Sequence, residues 1–159
     1  MSRGLVLAIE TSCDETAVAV ADSHGDIVVS KVASQIELHS PYGGVVPELA
    51  SRNHSLNLRP VVEETLRAGK LHLSDVDAVA ATSGPGLASS LLVGDTTAKA
   101  IALGLGRPFY SINHMEGHLL SPFIGEGTDP PAHVALVVSG GHTMFCLLYT
   151  SDAADELCS

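Results

Sequence analysis

The chain has 159 residues, 45% of them apolar, which is enough for one domain with a real hydrophobic core. Eighteen acidic against 8 basic side chains give a formal charge of −10. A nucleic-acid surface normally carries a basic footprint, so any such partner would be held by cationic surface from elsewhere. No apolar run approaches the ~20 residues of a membrane span, so no membrane association is expected. Cys13, Cys146 and Cys158 are too few for a disulfide framework, which points to a reducing, cytoplasmic setting.

In chain order, Leu5-Val6-Leu7-Ala8-Ile9 reads as a short buried strand that ends in Glu10-Thr11-Ser12-Cys13-Asp14-Glu15-Thr16. Ala17–Ala21 and Asp26–Val32 are two further strands, joined by the turn residues Ser23-His24-Gly25-Asp26, so the chain opens as a β-meander. Ser40-Pro41-Tyr42-Gly43-Gly44 is a loop. Pro47 then starts a helical run to about Ala68, with Leu49, Leu56, Leu58, Val61, Val62 and Leu66 as its buried stripe and Pro60 expected to kink or split it. Ala78–Thr82 is a strand, Ser83-Gly84-Pro85-Gly86 a tight turn, and Ala88–Leu105 an Ala/Leu-rich helix closed by Gly106 with Pro108 just beyond. Phe109–Asn113 is strand-like and Asn113 is a natural N-cap for the segment that follows. After a loop holding Gly125, Gly127, Pro130 and Pro131 comes a last clear strand, His133–Val138, then Ser139-Gly140-Gly141-His142-Thr143. This order predicts an α/β fold: one actin-like, ribonuclease-H-like lobe with a mixed sheet and flanking helices.

Two features carry chemistry. His114-Met115-Glu116-Gly117-His118 places two imidazoles four residues apart, on one face if the segment is helical, so both can converge on one cation. Imidazole suits zinc, iron, copper or nickel. The ordinary alternative is a capping residue plus a surface residue. His133 and His142 are candidates to complete the set. The pattern is not His-Glu-x-x-His, whose Glu is the general base of zinc proteases, because Glu116 falls about 200° around a helix from His114. The second feature is three turns at strand ends, Glu10–Thr16, Ser83–Gly86 and Ser139–Thr143, whose glycines and hydroxyls suit a phosphate or acyl-phosphate at one edge of a parallel-rich sheet. Around them, Cys13 reads as a small packing residue rather than a nucleophile, and His54 as a polar contact on a helix face rather than a ligand. Asp14 and Glu15 would orient a metal or water, or simply solvate their loop. Arg52 and Lys99 would hold an anion or stay on the surface.

Five motifs in order resemble one family. They are Glu10–Thr16, Gly44–His54, Gly84-Pro85-Gly86-Leu87, Asn113–His118 and Val138–Thr143, and the match runs from about Leu5 to Phe145. The family is that of the tRNA adenosine-37 threonylcarbamoyltransferases, formerly called glycoproteases or O-sialoglycoprotein endopeptidases. The resemblance implies an actin-like ATPase fold with two lobes about a cleft. It implies transfer of threonylcarbamoyl from threonylcarbamoyl-AMP to the exocyclic amine of adenosine 37 in tRNAs reading ANN codons. His114 and His118 would be metal ligands, for one divalent ion that is iron, with zinc as the alternative. Val137, Val138, Ser139, Gly140 and Gly141 would bind the nucleotide ligand, threonylcarbamoyl-AMP or ATP. The resemblance singles out no catalytic side chain. The implied partners are tRNA, an actin-like scaffold paralogue and a small ATPase.

The family continues into a second lobe bearing a third, Asp ligand. Residues 1–145 are therefore expected to be the N-terminal lobe, with the C-terminal lobe absent and the fragment inactive or poorly active alone. Residues 146–159 resemble a translated sequencing adapter and are expected to be a non-native tail. Two other readings are a non-catalytic scaffold paralogue, against which the His pair argues, and a metallopeptidase, which lacks a correctly placed base.

Overall fold

The computed structural model describes residues 4–125, 130–138 and 143–148. Strands β1 (Leu5–Glu10), β2 (Glu15–Asp22) and β3 (Ile27–Ser34) form the antiparallel meander. On its other side β1 pairs in parallel with β4 (Ala78–Gly84), and β4 in parallel with β5 (Phe109–Asn113), giving a five-stranded sheet in the order β3-β2-β1-β4-β5. Among the described residues four α-helices join these strands or follow them: α1 (Ile36–His39), α2 (Pro47–Gly69), α3 (Ala88–Leu105) and α4 (His114–Leu120). Beyond them β6 (His133–Val138) and β7 (Thr143–Leu148) make a separate antiparallel pair.

Register explains the core. Leu7 lies opposite Val20 on one side and Val79 on the other, while Ile9 lies between Val18 and Ala81. Because side chains alternate across a pleated strand, these six form two apolar rows on one face. Leu58, Val61 and Val62 of α2 and Ala98 and Ala102 of α3 close over those rows. The small residues of α3 let its backbone come near the sheet. On the opposite face Ala8, Ala17, Ala19, Ala80 and Ile112 line a shallow, open apolar hollow.

Two readings of α2 are corrected. It is one continuous helix through Pro60, so the split expected as one alternative there does not occur. Proline removes one helical N–H, and because Pro60 sits on the exposed face, water can satisfy the carbonyl left unpaired. The buried stripe is Ala50, His54, Leu58, Val61, Val62 and Thr65, whereas Leu56 is 73% exposed. Spacing by three and four residues defines the inward face, and His54 and Thr65 fall on it although neither is hydrophobic. The expected helix α3 is found with its predicted bounds, ended by Gly106 in the left-handed region (φ 63°).

Of the third expected anion turn, Ser139–Thr143, residues 139–142 lie outside the described residues. Strand β6, which precedes it, belongs to the two-stranded pair with β7. The edge at the carboxyl ends of β1, β4 and β5 gathers the first two turns and the start of α4.

Helix α3 is seated by one close approach. The Thr11 hydroxyl donates to the Ser90 carbonyl at 2.8 Å and accepts the Gly94 N–H at 3.1 Å. A Cβ on Gly94 would stand 2.4 Å from that hydroxyl oxygen. Gly94→Ala is therefore expected to destabilise the fold by about 1–3 kcal/mol through overpacking, read from urea unfolding monitored by circular dichroism.

A candidate metal site at the carboxyl edge of the sheet

The Glu10–Thr16 turn is held on two sides. Toward α3, the Ser12 carbonyl accepts the Leu87 N–H at 2.8 Å, beside Gly86, where a Cβ would come within 2.8 Å of that same oxygen. Toward α2, the fully buried His54 reaches the turn with both ring nitrogens. Nε2 lies 3.0 Å from the Cys13 carbonyl, and since a carbonyl only accepts, this nitrogen carries the proton. Nδ1 is then the acceptor, from the Thr16 hydroxyl at 2.8 Å and the Gln35 amide at 3.2 Å. Gln35 in turn accepts from His39 Nε2 at 3.2 Å, and His39 Nδ1 accepts the Val46 N–H at 3.3 Å. Every tautomer in this buried chain follows from its neighbour, with both imidazoles neutral.

Asn113 ends β5 and caps α4: its side-chain oxygen accepts the N–H groups of Met115 at 2.9 Å and Glu116 at 3.4 Å. The cap starts the helix at His114 and so puts His114 and His118 on one face. Their Nε2 atoms stand 3.0 Å apart with the rings nearly perpendicular, at 79°. The other nitrogen of His114, Nδ1, is 3.2 Å from the Ser12 hydroxyl and 3.5 Å from a Glu10 carboxylate oxygen. The pair thus faces the β1 turn across the edge of the sheet.

The remaining candidates separate. Ser83, in the β4 turn, donates to Asp95 of α3 at 2.7 Å, and Lys99 donates to the same carboxylate at 2.6 Å. Burial alone would raise the Asp95 carboxyl, but these two hydrogen bonds and the lysine charge outweigh it and hold the group below its usual range. Lys99 thereby serves a structural pairing, as does Arg52, which forms an exposed ion pair with Glu48. Cys13 is exposed, so its reading as a packing residue is corrected. Partial desolvation, then the neighbouring Asp14, push its thiol up, away from the thiolate a nucleophile needs. His133 hydrogen-bonds through Nδ1 to the Pro131 carbonyl at 2.7 Å and packs on Phe123. Among the described residues no group of three or more His, Cys, Asp or Glu side chains is placed to hold a metal, so His133 does not complete the set there. Val137 and Val138 lie on β6, and Ser139, Gly140, Gly141 and His142 fall outside the described residues.

Sequence reasoning did not foresee Glu10 and Ser12 as partners of His114. The available signal was their place at the end of β1, in the same sheet as the strand that delivers the His pair. For His54 the signal was its four-residue spacing from Ala50 and Leu58.

A mixed sheet of this order, with its site at the carboxyl edge of the parallel strands, defines a lobe of the actin-like, ribonuclease-H-like class. Solved structures share that fold: YeaZ from Pseudomonas aeruginosa (TM-score 0.60, 21% identity, 91% of this chain and 59% of that one). A ROK hexokinase from Thermus thermophilus is similar too (TM-score 0.54, 15% identity, 92% and 46%). Residues 26–156 match the family model of tRNA N6-adenosine threonylcarbamoyltransferase, and the chain belongs to that family. Enzymes of that name from Agrobacterium fabrum and Rhizobium johnstonii are 53% and 51% identical over 147 residues, covering 90% of this chain. The chain spans about 40% of the length of these curated relatives.

Burial holds the His54 ring below its ordinary pKa of 6.5, with the Cys13 carbonyl bond and nearby carboxylates only partly opposing. The unfolded chain therefore takes up a proton that the folded chain refuses. Stability is full above the unfolded value and falls as pH drops through about 6.5 toward the lowered folded value. His54→Leu is expected to flatten that slope and to cost about 2–3 kcal/mol by orphaning buried partners, measured by urea unfolding at pH 5.5 and 7.5.

Proposed function

We propose that this chain forms the N-terminal lobe of a transferase that moves the threonylcarbamoyl group from threonylcarbamoyl-AMP to the exocyclic amine of adenosine 37 in tRNAs reading ANN codons. The observation that carries this reading is the His114–His118 pair, poised at the sheet edge of a chain belonging to this family. Two nitrogens 3.0 Å apart match two adjacent ligands on one ion, since bonds of about 2.1 Å at about 90° require that separation. The residues therefore fit a divalent metal, with His114 and His118 as two of its ligands; the family resemblance implies a third, an Asp, from the second lobe. Imidazole donors suit zinc, iron, copper or nickel, and within that class the family resemblance implies iron, with zinc as the alternative. When bound, the ion supplies Lewis-acid polarisation and a fixed anchor for substrate oxygen.

The protein's own part is positioning. The clamped β1 turn and the capped helix α4 hold the ring nitrogens on rigid elements, and the segment Val137, Val138, Ser139, Gly140 and Gly141 would bind the adenylate through strand and loop amides. The chain's charge of −10 leaves little attraction for tRNA, so the cationic contacts would come from the second lobe or from partners, an actin-like scaffold paralogue and a small ATPase. Among the described residues no helix is long and apolar enough to cross a membrane.

Replacing His114 and His118 together by Ala, in a transferase carrying this lobe, is expected to remove bound metal and to lower threonylcarbamoyladenosine formation at least 100-fold. Metal content is read by inductively coupled plasma mass spectrometry and the modified nucleoside by chromatography of digested tRNA. Unchanged values of both would exclude the site.

A further inference from the structure

The Ser12 hydroxyl and the Glu10 carboxylate share one face of His114, the side of the ring opposite His118. A carboxylate can only accept a hydrogen bond, so its presence beside Nδ1 favours the tautomer with the proton there. Nε2 then keeps its lone pair, directed at His118 across the 3.0 Å gap. The opposite tautomer would set a lone pair against a carboxylate and place a proton where a cation should sit. Glu10 is itself pinned, because its second carboxylate oxygen accepts the N–H of Ser12. Ser12 is 2% exposed, and its carbonyl is tied to Leu87, so the turn cannot swing away from the ring.

We propose that Glu10, assisted by Ser12, is a positioning residue that sets the tautomer and orientation of His114 and thereby the metal affinity of the pair. This rests on the reading of His114 and His118 as ligands. A carboxylate behind a ligating imidazole raises its basicity and fixes its ring, and loss of such a partner typically weakens metal binding about 10–100-fold. Glu10 does this from a different strand than the one that delivers the histidine. Closure of the β1 turn onto α3 is therefore coupled to assembly of the metal site.

The test uses a transferase carrying this lobe together with the second one, with Co2+ alone as the probe, titrated by calorimetry and by visible absorption, beside 15N imidazole spectra of the metal-free protein. The wild type should bind one equivalent and the His114→Ala, His118→Ala double variant none. Glu10→Gln should bind 10–100-fold more weakly and lose the uniform Nδ1–H signature of His114. Glu10→Asp, which keeps the charge, should fall between the two and stands in if Glu10→Gln unfolds. A purely structural role for Glu10 would shift the melting temperature but leave the tautomer and the affinity alone. Wild-type affinity and tautomer in a folded Glu10→Gln, with binding lost in the double-histidine variant, would overturn the proposal and leave the ligand reading standing. Binding that survives in the double-histidine variant, or is missing in the wild type, would overturn both.

Discussion

The constraint on which this lobe depends is the clamping of one short turn, Glu10–Thr16, between two helices. Thr11 and Ser12 bond to α3 and its leading loop, while Cys13 and Thr16 bond to His54 on α2. Each bond lies in a buried or nearly buried setting, where an unmade hydrogen bond is costly and a made one is directional. The result is a turn whose backbone has few ways to move. It is a turn built of hydroxyls, carboxylates and backbone amides, and its rigidity is what makes its chemistry usable.

The same arrangement explains why glycines and alanines crowd the α3 side. Gly86 and Gly94 each lie where a Cβ would overlap an atom of the turn, and Ala98 and Ala102 continue the close approach along the helix. Small residues allow the helix to touch the end of β1 directly. The cost is thin apolar burial on that side, and the deeper burial comes from α2 with Leu58, Val61 and Val62. The two helices thus divide the work: α2 supplies apolar area and the buried imidazole, α3 supplies proximity.

Across the sheet edge the histidine pair relies on a different device, a helix start fixed by Asn113. Its N-cap decides where helical geometry begins, and the four-residue spacing then brings the two rings together without any long-range contact. What long-range structure adds is the far side of His114, where Ser12 and Glu10 arrive from a strand 102 and 104 positions earlier. The local spacing presents two donor atoms, and the sheet supplies the groups that say which nitrogen of one ring is free.

Much of this is legible in the amino-acid sequence alone. The meander, the bounds of α3, the capped start of α4 and the His114–His118 spacing all depend on local periodicity, capping chemistry and turn residues, which act over a few positions. The family motifs were equally local. Other features depended on which elements become neighbours. Those are the inward place of His54 and Thr65, the exposure of Leu56, the exclusion of β6 from the main sheet, and the meeting of Glu10 with His114. Strand order and helix rotation decide these, because a polar side chain is tolerated in a core only where a specific distant partner satisfies it, and no local pattern names that partner. The sequence by itself determined the elements and the two ligand-type nitrogens; only the tertiary structure decided what stands behind them, since hydrogen bonds across strands are set by registry between segments far apart in the chain.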